Sequence, residues 1–221
     1  MISLAFSLPL AKAQKKLFRR RPTSSILGSR TMCSVLGILA INISFTVIAI
    51  SSLWHAPIFK CRRWEKTDIS NSFTIGDNYE SSVLFLITGF QYLSSALALN
   101  FGFSYRFPWE RNRIFVFFVI GYSVVHFTIT LYPSNLFCFW RVNCSNRNIT
   151  MALSVEEATI NNPYHTTVMP TYFRWILFGI MIGNIISLLS WEYFIVDKVG
   201  TWLNENSSHR SIPYLKYSPT T

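Results

Sequence analysis

Residues 78–93 read NYESSVLFLITGFQYL, and this stretch decides the fold. A polar head, Asn78-Tyr79-Glu80, runs straight into an apolar segment that continues to Phe101. A run of about 20 apolar residues matches the hydrocarbon thickness of a bilayer, so it predicts a membrane-spanning helix. Gln91 sits inside that run beside an aromatic pair, Phe90 and Tyr92. An amide is costly to expose to lipid, so Gln91 is expected to face protein.

The same signal recurs. Spans are expected at Met32–Leu53, Ser81–Phe101, Ile114–Tyr132 and Tyr172–Val196. Bulk composition agrees: of 221 residues, 50% are hydrophobic and only 14% charged. Soluble domains carry about 25% charged residues. The expected fold is therefore all-α, a membrane helical bundle of four transmembrane helices plus a short N-terminal helix remnant. Its parts are a helix end and basic segment (1–31), the four-helix domain (32–197) and a polar tail (198–221).

Charge adds topology. The net charge is +10. The basic residues flank apolar spans, which points to lipid head groups and orientation rather than nucleic acid, for which no motif is present. Lys12, Lys15, Lys16, Arg19, Arg20, Arg21 and Arg30 precede the first span, Arg106, Arg111 and Arg113 join the second to the third, and Lys198, Arg210 and Lys216 follow the fourth. The other side receives Lys60, Arg62, Arg63, Lys66, Arg141, Arg147 and Arg174. The positive-inside bias then puts both termini in the cytoplasm.

The order at the N-terminus, apolar Met1–Ala11 before the basic stretch, is the reverse of a secretory signal. It reads as the end of a span, with an interfacial amphipathic anchor as the alternative. On the opposite face, Asn143-Cys144-Ser145 and Asn148-Ile149-Thr150 are glycosylation sequons, and Cys138 and Cys144 are close enough in sequence for a local disulfide or for two free thiols.

Polar residues within the spans are Asn42, Gln91, His126, Asn184 and Glu192. Each invites a role in an ion or substrate path. Interhelical hydrogen bonding is the plainer reading for Asn42, Gln91 and Asn184. Glu192, between Trp191 and Tyr193, reads as an interfacial anchor. Gly179 and Gly183 form a GxxxG pair, a pattern that lets two helix backbones approach closely. No phosphate-binding loop, HExxH or GxSxG is present, and no soluble stretch is long enough for a catalytic domain. No metal or cofactor ligands are expected.

Taken in order, the basic stretch with RPTSSI, a span, a loop, NYESSVLFLITGFQYLSSALAL and FGFSYRFPWERNRIFVF resemble the C-terminal membrane region of eukaryotic type-V P-type ATPases. Asn78, Tyr79, Glu80, Gln91 and Tyr92 stand at motif positions, as do Gly102, Arg106 and Pro108, while Ser104, Tyr105 and Phe107 depart from the pattern. The resemblance implies that the four spans are the seventh to tenth helices of an ATP-driven exporter of polyamines or cations, located in an endolysosomal or vacuolar membrane. It also implies that ATP, magnesium and the phosphorylated Asp of DKTGT belong to other parts of the parent pump. This chain alone would then be no enzyme, and its partners would be the bilayer and the pump's remaining transmembrane helices. The alternative is a free-standing four-span protein acting as a structural or assembly partner. A small channel or carrier is a third reading, disfavoured by the scarcity of paired charges in the spans.

Overall fold

The computed structural model describes residues 2–12, 29–57, 59, 79–100, 109–132, 169–196 and 198. All regular structure among them is helical. Helix α1 spans Ile2–Ser7 and runs into a 3₁₀ turn at Leu8–Leu10, where Pro9 has no N–H to continue the ladder. The long helices are α2 (Ser29–Trp54), α3 (Tyr79–Asn100), α4 (Arg113–Leu131) and α5 (Thr171–Ser190). The last continues as a π-helical turn, Trp191–Val196. Four helices are thus long and apolar enough to cross a membrane.

The observed ends differ from the expected spans by a few residues, for local reasons. Asn112 caps α4 by accepting from the Phe115 N–H at 3.2 Å, satisfying a donor that the first helical turn leaves open. Pro170 precedes α5. Tyr79 and Glu80, expected as a head outside the span, are the first residues of α3. A carboxylate suits the positive end of the helix dipole, and Glu80 Oε1 also accepts from Trp54 Nε1 of α2 at 3.0 Å.

Interhelical contacts fix the directions. The end of α2 meets the start of α3 through Trp54 and Glu80. The end of α4 meets the start of α5, where Arg174 Nη1 donates to the Leu131 carbonyl. The start of α2 meets the end of α5, where Ser34 donates to Glu192. The four long helices therefore alternate in direction. The first residues of α2 lie at the same end of the bundle as the π-helical turn that ends α5.

Helix α3 is the hub. It packs against α2, α4 and α5, and 56% of its span is buried against 22% for α2. Val83, Leu86, Ile87, Phe90 and Leu93 of α3 join Phe115 of α4 and Phe173, Leu177 and Met181 of α5 in one core. Between lipid-embedded helices apolar burial gives little driving force, because lipid tails are as apolar as leucine; close packing and interhelical hydrogen bonds decide instead. Helix α1 docks on α4. Ser3 Oγ and Tyr122 Oη are hydrogen-bonded at 2.9 Å, and Asn112 Nδ2 donates to the Ser7 carbonyl at 2.8 Å.

Candidate functional site: a polar node at mid-depth

Asn42, Gln91 and Asn184 each lie near the middle of a helix, and the structure brings all three together. Asn184 Nδ2 donates to Asn42 Oδ1 at 3.0 Å, and Asn42 Nδ2 donates to Ser95 Oγ at 2.9 Å. Ser94 Oγ donates to Asn184 Oδ1 at 2.7 Å. Gln91 Nε2 donates to the Asn42 main-chain carbonyl at 2.8 Å and to Thr46 Oγ1 at 3.1 Å. Thr46 Oγ1 in turn donates to the same carbonyl at 2.9 Å. Helices α2, α3 and α5 are thereby tied through six side chains.

Chemically this node is neutral. It holds amides and hydroxyls, and no member titrates near neutral pH. Both amide groups of Asn42 and Asn184 have partners, so the arrangement is suited to fixing helix register. No group of three or more His, Cys, Asp or Glu able to hold a metal occurs among the described residues. Sequence reasoning singled out the three amides but not Thr46, Ser94 or Ser95. A usable signal was present: Ser94 and Ser95 follow Gln91 by three and four residues, hence on its face.

A second junction closes the end of the bundle where α2 begins. Glu192, expected as an interfacial anchor, accepts from Ser34 of α2. Trp191 Nε1 donates to the Cys33 carbonyl at 3.3 Å. The indole lies over Gly37, where a Cβ would come within 1.9 Å of Trp191 Nε1. Trp191 follows Asn184 by seven residues, hence on the α2-facing side of the helix, and it and Glu192 reach α2 from the π-helical turn.

The remaining expected positions fall as follows. Tyr92 is exposed, Tyr79 packs at the edge of the main core, and Gln91 is buried. His126 is buried beside Phe90, ring centroids 6.4 Å apart, and its Nδ1 has no hydrogen-bond partner. Of the glycine pair, Gly183 meets α2, where a Cβ would stand 3.0 Å from Phe45 Cε1, whereas a Cβ on Gly179 would meet nothing. Asn78, Cys138, Cys144, Asn143 and Asn148 lie outside the described residues.

No family model matches the chain. Among curated proteins it is similar to "Polyamine-transporting ATPase 13A3" of Homo sapiens and of Macaca fascicularis, each 29% identical over 150 residues. The Mus musculus protein of the same name is 27% identical over 149 residues. Each match covers 60% of this chain and 12% of the relative. The chain thus shares weak but extended similarity with polyamine-transporting ATPases and spans about an eighth of their length.

Proposed function

We propose that this chain is the C-terminal helix group of an ATP-driven polyamine transporter of the type-V P-type class, and that it supports the transport helices without performing catalysis itself. The observation that carries the reading is the 150-residue similarity to the polyamine-transporting ATPases, joined to a bundle of four helices able to span a membrane. The polar node is consistent with a buttress: it holds three helices in register and offers no titratable group. ATP and magnesium are then used by the remainder of the pump. The proposal includes two further parts: both termini are cytoplasmic, a reading the basic balance of the connections favours, and the pump works in an endolysosomal or vacuolar membrane.

A chimera tests this. Residues 12–200 replace the matching helices of the human relative, and polyamine transport and formation of the aspartyl-phosphate are measured in membranes. Retained phosphorylation with partial transport is the expected result, with an unrelated four-span segment giving neither. A chimera that is folded and delivered to the membrane, yet neither phosphorylates nor moves polyamine, overturns the proposal. So does a chain that, expressed alone, is stable and captured in a defined complex with a membrane protein other than a P-type ATPase.

A further inference from the structure

We propose that the end of the bundle formed by the starts of α2 and α4 and the end of α5 is a binding face for anionic lipid head groups. The helix directions gather charge there. Lys12 follows α1, which is pinned to Asn112 at the start of α4. Arg111 and Arg113 flank Asn112, Arg30 opens α2, and Lys198 follows the π-helical turn. Lys12, Arg111, Arg113 and Lys198 are all exposed. Among the described residues Glu110 and Glu192 stand against these five cations, the latter engaged by Ser34, and in the sequence Asp197 precedes Lys198. At the opposite end the described charges are Glu80, bonded to Trp54, and Arg174, turned inward to the Leu131 carbonyl.

The sequence deepens the asymmetry. In the sequence, Lys15, Lys16, Arg19, Arg20 and Arg21 lie between Lys12 and Arg30. No Asp or Glu occurs before Glu65. Four to eight basic residues beside a membrane helix attract anionic lipid, each cation near the surface contributing about five-fold in affinity. The face borders four helices able to cross a membrane, which brings lipid head groups to its level.

The full chain, reconstituted in phosphatidylcholine bilayers, is probed with spin-labelled phosphatidylserine and spin-labelled phosphatidylcholine. The motionally restricted fraction of each gives the relative association constant. Phosphatidylserine should be preferred at least about two-fold at low ionic strength and fall to parity near 1 M salt, where the Debye length is about 3 Å. Lys12→Gln/Arg111→Gln/Arg113→Gln should lower the preference. Lys60→Gln/Arg62→Gln, in the connection that leaves the opposite end, should not. Parity at low salt overturns the proposal. So does a preference that salt leaves unchanged, or one that the second variant removes as fully as the first. The salt series on the unmodified chain decides the matter should the triple variant fail to fold.

Discussion

Gln91 of α3 donates its amide to the main-chain carbonyl of Asn42 in α2, at 2.8 Å, so at this position it recognises the backbone and not the Asn42 side chain. Two different dependences follow. Replacing Asn42 by Ala removes its bonds to Asn184 and Ser95 but leaves the carbonyl that Gln91 uses. In a double-mutant cycle, Asn42→Ala with Asn184→Ala should therefore show coupling of about 0.6–1.7 kcal/mol. Asn42→Ala with Gln91→Leu should be additive within about 0.5 kcal/mol. Unfolding in mixed micelles measures both; equal couplings would mean that Gln91 is held by the Asn42 side chain.

Gly37 and Gly179 should respond oppositely to alanine. A Cβ at Gly37 collides with the Trp191 indole, whereas at Gly179 it enters open space. Gly37→Ala must push the indole off the Cys33 carbonyl and should cost about 1–3 kcal/mol, as overpacking does. Gly179→Ala should be neutral or slightly stabilising, through better helix propensity. Thermal unfolding ranks the two, and a shifted tryptophan emission in Gly37→Ala alone would locate the change at Trp191.

How far the sequence reaches is visible in these same residues. Hydropathy and length mark all four spans, because a bilayer imposes both on any helix that crosses it. The cost of a bare amide in lipid marks Gln91, Asn42 and Asn184 as facing protein. Their mutual pairing was not legible, since it depends on how three helices are rotated about their axes. The glycine pair shows the same limit. Spacing treats Gly179 and Gly183 alike, yet only Gly183 faces another helix at close range. For Glu192 the aromatic neighbours suggest an interfacial anchor, and its partner Ser34, 158 residues away in the sequence, has no spacing signal.

Arg174 ties the end of α4 to the start of α5. Its Nη1 donates to the Leu131 carbonyl and its Nη2 to Thr171 Oγ1 at 2.8 Å. The last carbonyls of a helix have no partners within it, and a cation there also meets the negative end of the dipole. Arg174→Ala should cost about 1–2 kcal/mol and hasten amide exchange in the last turn of α4. Arg174→Lys should recover only part of this, since lysine lacks the fork that reaches both acceptors. Unchanged exchange at Thr128–Tyr132 in the alanine variant would show that the contact contributes nothing to the helix end.

His126 Nδ1 is, with Arg174 Nε, one of two buried side-chain polar atoms without a hydrogen-bond partner among the described residues. An unsatisfied buried polar group costs about 1–3 kcal/mol. Its ring meets Phe90 edge-on, and Phe127, the next residue of α4, stacks near the same Phe90 at 5.5 Å. Aromatic rings thus border the imidazole. His126→Phe should leave stability unchanged or raise it by about 1 kcal/mol, an apolar ring of similar size replacing one with an orphaned nitrogen. If His126 instead carried protons or polyamine in the assembled transporter, the phenylalanine variant would abolish flux while remaining stable. Full transport by a stable His126→Phe chimera would assign the ring to packing alone.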